Sequence, residues 1–91
     1  MWQGVNYIIT TDSYESACEI VELINNSDFD DYRIVSCQAW IESQDEEYDE
    51  YEVEIYAQVP DRWGEGRAED AMEELLDDND LDYDDVDACL E

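Results

Sequence analysis

The feature that most constrains the fold of this chain is its negative charge. Of its 91 residues, 29 are Asp or Glu and only three are Lys or Arg, which gives a net charge of −26. Like charges oppose compaction, and many chains this acidic stay disordered because they cannot bury enough apolar surface. This chain has that surface, since 44% of its residues are hydrophobic and recur with regular periods. We therefore expect one folded domain, residues 1–91, with an acidic shell.

The three cysteines indicate a reducing compartment. They are odd in number and widely spaced, and the chain has no histidine, which argues against a disulfide framework and a zinc site. We predict free thiols, with Cys18 and Cys37 in the core. The amino terminus lacks a basic start and a long apolar run, so no signal peptide is expected. No stretch is long enough to span a membrane, and anionic lipid would repel the chain, so we expect a cytoplasmic protein without a membrane partner.

Three segments alternate between apolar and polar residues, which predicts β-strands. They are residues 2–10, 32–42 and 48–59. In the first segment one side carries Val5, Tyr7 and Ile9, and the other Asn6, Ile8 and Thr10. In the second, one face carries Arg33, Val35, Cys37, Ala39 and Ile41, and the other Ile34, Ser36, Gln38, Trp40 and Glu42. In the third, the inward residues are Tyr51, Val53, Ile55, Ala57 and Val59, and the outward residues are Glu50, Glu52, Glu54, Tyr56 and Gln58.

Two segments have helical periodicity. For the first helix, Asp12 is the expected N-cap and Glu15 completes a capping box. Its apolar stripe is predicted to contain Tyr14, Ala17, Cys18, Val21 and Ile24. The second helix is predicted over residues 67–78, with a stripe made of Ala68, Ala71, Met72, Leu75 and Leu76. A last strand is predicted over residues 81–90, although Asp is a poor strand former, so that part of the run 77–87 is compatible with a loop.

The element order β-α-β-β-α-β is that of the ferredoxin-like arrangement. In this α+β fold, two helices cover one face of a four-stranded antiparallel sheet. The other sheet face is open to water, which agrees with the polar side of the predicted strands. We expect this architecture for the whole chain.

The sequence does not suggest an enzyme. It has no histidine, no nucleophile motif and no glycine-rich phosphate loop, and 29 carboxylates single out no catalytic pair. No cofactor is expected. Asp80, Asp82, Asp84 and Glu91 have part of a calcium-loop spacing, but Asp85 stands where that loop needs glycine. An acidic turn that attracts cations diffusely is the better interpretation, and no metal site is predicted.

Regular rows of carboxylates are the strongest functional signal. On a strand, alternate residues lie about 6.5–7 Å apart, and on a helix, residues four apart lie about 6 Å apart. Each like-charged helical pair costs a few tenths of a kcal/mol, so stability alone does not account for the rows. Solubility needs a net charge of only about 2–8. The rows are Glu50, Glu52 and Glu54 on the third strand, and Glu69, Glu73 and Asp77 with Asp70, Glu74 and Asp78 on the second helix.

Two outward aromatic residues, Trp40 and Tyr56, have two interpretations. They pack across strands in the ordinary way, or they are apolar anchors inside an acidic rim, as in interface hot spots. A solvated acidic face, adapted to high salt, is the corresponding alternative for the charge rows. The excess of charge beyond what solubility requires favours a binding partner.

In size, charge, lack of Lys and His, and acidic runs such as EYEVEIY and EDAMEELLDDND, the chain is similar to the acidic DNA-mimic inhibitors of phages and mobile elements, of the anti-restriction and anti-CRISPR type. This resemblance implies a non-catalytic inhibitor that occupies the basic nucleic-acid-binding site of a nuclease, restriction or CRISPR complex in the host cytoplasm. Such a protein binds no nucleic acid itself. An immunity or antitoxin-like protein, or a domain adapted to salt or calcium, is the alternative, and whether the chain forms a homodimer is left open.

Overall fold

The computed structural model describes residues 1–91 and has an α+β architecture. A short 3-10 turn, Asp30–Tyr32, precedes the second strand. The strands and helices, in chain order, are β1 (Trp2–Thr11), α1 (Tyr14–Asn26), β2 (Val35–Asp45), β3 (Glu50–Pro60), α2 (Glu65–Asp78) and β4 (Asp85–Leu90).

The four strands form one open antiparallel sheet in the order β2-β3-β1-β4. The two central strands, β1 and β3, pair along their whole length, from Trp2 opposite Pro60 to Thr11 opposite Tyr51. This register brings inward residues opposite one another, for example Tyr7 opposite Ile55. A slip by one residue would turn the inward side chains toward water, so the apolar alternation fixes the pairing.

The core lies between the inward sheet face and both helices. The Tyr7 hydroxyl donates a hydrogen bond to the Ala68 carbonyl of α2 (3.1 Å), and Tyr51 packs edge-on against Tyr14 of α1 (6.0 Å between ring centroids). Both helices therefore cover the same face. Burying each large apolar side chain stabilises the fold by about 1.5–3 kcal/mol. The largest fully buried side chains are Tyr7, Ile9, Ile20, Ile24, Ile34, Ile55, Met72, Leu75, Leu76, Val5, Val53 and Val59.

Helix α1 begins differently from the prediction. Ser13, not Asp12, is the N-cap, and its hydroxyl oxygen accepts a hydrogen bond from the Ser16 backbone N–H (3.1 Å). With this start the helix buries Ser16, Ala17, Ile20 and Ile24. Tyr14, predicted in the stripe, is 50% exposed, although its ring contacts that of Tyr51. The predicted stripe of α2 is confirmed in full, and that helix starts two residues earlier than expected.

Strand β2 begins at Val35 rather than at residue 32. Arg33 has a left-handed backbone (φ 61°) because it ends the 3-10 turn, and this conformation is not that of an extended strand. Ile34 was predicted on the outward face, and that prediction is wrong. It is fully buried because it lies before the strand, bridged to Phe29. Bulges between Val35 and Gln38 and between Ile41 and Ser43 then shift the register of β2 against β3.

The outer edge of β2 is covered at its middle by a side chain. The Asn25 amide of α1 donates to the Ala39 carbonyl and accepts from the Ala39 N–H, both at 2.9 Å. A side chain here occupies the backbone groups that another strand would use.

The acidic run after α2 is partly loop, as its composition allowed. Strand β4 is confined to Asp85–Leu90, and Asp80 adopts a left-handed turn conformation (φ 55°). The three cysteines are free thiols; Cys18 and Cys37 are half-buried rather than fully in the core, and Cys89 is exposed. Neither helix combines the length and apolar character required to cross a bilayer.

Candidate partner-binding surface

The sheet face opposite the helices, here called the outer face, carries the polar half of each strand. Its side chains lie in rows that run across the strands, because opposite residues in antiparallel strands point the same way. One row joins Trp40, Glu54, Ile8 and Asp87, and the next joins Ser43, Glu52, Thr10 and Asp85. Adjacent strands are about 4.8 Å apart, so the backbones at Glu54 and Asp87 are about 10 Å apart, with Ile8 between them.

The predicted row of Glu50, Glu52 and Glu54 is thus one column of a two-dimensional array. Asp85 and Asp87 form a parallel column on β4. The sequence predicted the strand that carries these two residues but gave them no role, because their distance from Glu54 depends on the strand order. Glu50 lies at the end of its column, opposite Asp45 beside the β2–β3 turn.

The bulge in β2 adds a further carboxylate to this array. Glu42 is hydrogen-bonded to Trp40, which lies directly opposite Glu54, so the two carboxylates are neighbours on the outer face. Burial raises the pKa of Glu54, and the negative charge of Glu42 raises it further. The Trp40 indole N–H donates to Glu42 Oε2 (2.9 Å), so that the ring is tied to the same group. Glu42 was predicted to point outward with Trp40, and the register of β2 shifts at its position, between Ile41 and Ser43.

One helical row continues the array around the β4 edge. Burial raises the pKa of Glu69, and the charges of Asp87, Glu73, Asp85 and Asp70 raise it further, in that order. At the far end of this row the Tyr83 hydroxyl donates to Asp77 Oδ1 (3.1 Å). The helix carboxylates therefore lie close enough to those of the sheet for their charges to interact, and the two sets together are here called the acidic belt. It consists of Glu42, Glu52, Glu54, Asp85, Asp87, Glu69, Glu73 and Asp77.

The second helical row, Asp70, Glu74 and Asp78, faces elsewhere. The Tyr32 hydroxyl donates to Asp78 Oδ2 (2.7 Å). Glu74 lines a cavity of about 240 Å³ that Arg33 and Arg67 also line. Glu74 therefore lies beside two of the chain's own arginines and Asp78 is hydrogen-bonded to Tyr32, whereas the charge of Asp70 still acts on Glu69 of the acidic belt.

The two aromatic residues predicted as anchors both lie on the outer face. Trp40 is 38% exposed. Tyr56 is half-buried, and its hydroxyl donates a long hydrogen bond to Glu91 Oε2 (3.4 Å). A Cβ at Gly4 would collide with both of these groups, so glycine permits their approach. Trp63, by contrast, is buried at the edge of the core beneath Arg67.

The residues with partial calcium-loop spacing do not share one loop. Asp80 follows α2, whereas Glu91 follows β4 and donates its backbone N–H to the Gly4 carbonyl (3.1 Å). No group of three or more Cys, Asp or Glu side chains is arranged to hold a metal ion. Comparisons with protein-family models, curated proteins and solved structures give no match for this chain.

Proposed function

We propose that this protein is a non-catalytic inhibitor that occupies the basic nucleic-acid-binding site of a partner such as a nuclease, a restriction complex or a CRISPR complex. The acidic belt takes the position of the nucleic-acid phosphates. The observation that carries this proposal is that the belt extends across four elements, β2, β3, β4 and α2, without an intervening basic side chain.

The rigid support of the belt favours mimicry over simple solvation. Its carboxylates project from paired strands and a packed helix, so their spacing is fixed before binding. Double-stranded DNA also presents regularly spaced charges, one for about every 1.7 Å of its axis. A groove lined with Lys and Arg attracts such an array, increases the association rate and discriminates against neutral surfaces.

The carboxylates of the acidic belt repel one another. The pKa of both Glu54 and Glu69 is raised, by burial first and then by neighbouring carboxylates. A basic groove would relieve that repulsion on binding, whereas water alone leaves it in place. The belt is therefore better suited to a bound cationic partner than to isolation.

We further infer that the fold is the ferredoxin-like one. Two features support this inference: β3 lies between β1 and β2, and both helices contact the inward face. Such a topology leaves the outer face free of connecting segments, so that a partner can approach it.

A capture and competition experiment tests the proposal. The protein, tagged at its amino terminus, is incubated with bacterial lysate, and the retained proteins are identified by mass spectrometry. We expect a nucleic-acid-binding protein whose complex with a fluorescent DNA duplex is disrupted by the untagged chain. The competition should weaken as sodium chloride rises, because ions screen charges over about 8–10 Å.

Two controls separate the alternatives. The duplex is mixed with the chain alone, and no change in fluorescence anisotropy is expected because both are anionic. Capture of an enzyme with no affinity for nucleic acid would instead indicate an immunity-type protein. A partner that binds the chain and the duplex simultaneously would contradict the proposal.

A further inference from the structure

Trp40 and Trp63 both lie close to charged side chains, but the charges around the two rings have opposite signs. At Trp63, the chain supplies its own cation: the Arg67 guanidinium lies 4.7 Å from the centre of the ring. At Trp40, the neighbours are the carboxylates of Glu42 and Glu54. A guanidinium above an indole face is a favourable contact, and only one of the two rings has it.

The indole of Trp40 is held in a defined position on edge strand β2. Its N–H donates to Glu42 Oε2 (2.9 Å). Since the backbone groups of Ala39 point to Asn25, those of Trp40 point toward β3 and pair with Glu54. Their Cα atoms are then about 5.5 Å apart. An exposed aromatic ring and two carboxylates thus converge on one spot.

This spot lacks a cation of its own. The chain contains no lysine, and its arginines are Arg33, Arg62 and Arg67, none of which lies on the outer face. Repulsion between Glu42 and Glu54 is left unbalanced within the protein. A second copy of the chain would bring further carboxylates, so charge complementarity favours a basic partner.

The geometry favours arginine over lysine. A guanidinium is planar and can stack on an aromatic ring while its N–H groups form paired hydrogen bonds with carboxylates. A lysine ammonium is a compact, strongly hydrated point charge and cannot do both. Arginine is also frequent among interface hot spots.

We propose that Trp40, Glu42 and Glu54 form a receptor for an arginine side chain of the partner, with the guanidinium stacked on the indole and paired with the two carboxylates. This inference rests on the proposed function, because it names the cation in the partner's nucleic-acid-binding site that the outer face would engage.

Two blocked heptapeptides test the receptor directly. They have the same length and charge, with three arginines or three lysines alternating with glycine. Binding is followed by NMR through the indole N–H signal of Trp40, assigned with the variant Trp40→Phe. We expect the arginine peptide to shift this signal and to bind about three- to tenfold more tightly than the lysine peptide.

Substitutions then assign the preference to this spot. For all variants the two affinities are measured by isothermal titration calorimetry, because Trp40→Leu lacks the indole signal. In Trp40→Leu the ratio of the two affinities should fall to about one, and Glu42→Gln should weaken the arginine peptide more than the lysine peptide. A matched control, Glu15→Gln/Glu19→Gln/Glu22→Gln on the exposed side of α1, should weaken both peptides equally. If Trp40→Leu does not fold, Glu42→Gln alone decides, because it keeps the indole.

Equal affinity for both peptides, or an arginine preference that persists in both Trp40→Leu and Glu42→Gln, would overturn the receptor. So would a Trp40 signal that moves on dilution without peptide, because that result indicates self-association. These outcomes are independent of DNA competition. If the arginine preference is absent but the chain still competes with DNA, only the arginine receptor is wrong. If the preference is present but the chain does not compete with DNA, the proposed function is wrong.

Discussion

The two faces of strand β3 differ in composition and in their effect on stability, although their residues alternate along the strand. Val53 and Ile55 on its inward face are fully buried. Glu54, between them, faces water among other carboxylates. The inward face specifies the fold, because a slip of one residue would exchange the two sets. The outer face adds repulsion, so its composition is better explained by a partner than by stability.

The energies on the two faces differ by nearly an order of magnitude. Burying a side chain such as Ile55 contributes about 1.5–3 kcal/mol. A like-charged pair on an exposed element costs only a few tenths of a kcal/mol. The core can therefore support a belt of unfavourable charge, and changes on the two faces should have opposite signs.

Neighbouring substitutions on the two faces provide the largest contrast. Ile55→Ala should lower the free energy of unfolding by about 2–5 kcal/mol, because it leaves a cavity in the core. Glu54→Gln should leave that free energy unchanged or raise it slightly. Urea denaturation in 500 mM sodium chloride measures both. A loss on the scale of the Ile55 variant in Glu54→Gln would mean that the outer carboxylates stabilise the fold.

The reactivity of the cysteines should also differ between the inward side of the sheet and its exposed parts. Burial raises the pKa of Cys37, on the inward side of β2, to about 11, whereas Cys89 on β4 is exposed. At pH 8, a thiol with that pKa is only about one part in a thousand thiolate, the reactive form. Iodoacetamide should therefore label Cys89 at least tenfold faster, as followed by peptide mass spectrometry. After denaturation without reductant, three thiols should react; a count of one would reveal a disulfide.

Salt should stabilise the protein through the outer face. Ions screen the repulsion within the acidic belt, and relief of about 1–2 kcal/mol raises the melting temperature of a domain this size by about 5–10 °C. Thermal melts in 20 mM and 500 mM sodium chloride measure the shift. An unchanged or lower melting temperature in 500 mM salt would show that repulsion within the acidic belt does not destabilise the fold.

Mild acid should have a smaller stabilising effect. The pKa of Glu54 and of Glu69 is raised above the ordinary value of 4.5 by burial first, and then by neighbouring negative charges. The folded state thus holds these protons more tightly. This contribution is fully present below pH 4.5 and is lost as pH rises through the folded-state pKa. Melting temperature should therefore rise as the pH falls from 7 toward 4.5, and less in Glu54→Gln/Glu69→Gln. A fall in the wild-type protein would contradict the direction of both shifts.

The sequence was sufficient to predict the elements whose periodicity is strong. The inward residues of β3 and the stripe of α2 are as predicted, because one side of each contacts the core. The errors lie where backbone geometry departs from periodicity. Ile34 alternates with its neighbours in sequence, but the left-handed Arg33 places it outside the strand.

The candidate surface could be predicted only in part. The sequence placed Glu52 and Glu54 together because they share a strand. It could not join them to Asp87 or Glu69, because those distances depend on strand order and on the packing of α2 beside β4. Nor could it place Glu42 beside Glu54, because that proximity depends on the pairing of β2 with β3, in which Trp40 lies opposite Glu54.

A comparison of two triple variants tests the central claim most directly. Glu52→Gln/Glu54→Gln/Asp87→Asn removes three charges from the acidic belt, and Glu15→Gln/Glu19→Gln/Glu22→Gln removes three from the exposed side of α1. Each is titrated against a fluorescent duplex bound to the captured partner. The belt variant should need at least about tenfold more protein for half-maximal displacement, since charges in a complex contribute more than remote ones. The α1 variant should need less than about twofold more. Equal losses in the two variants would show that net charge, and not the acidic belt, governs binding.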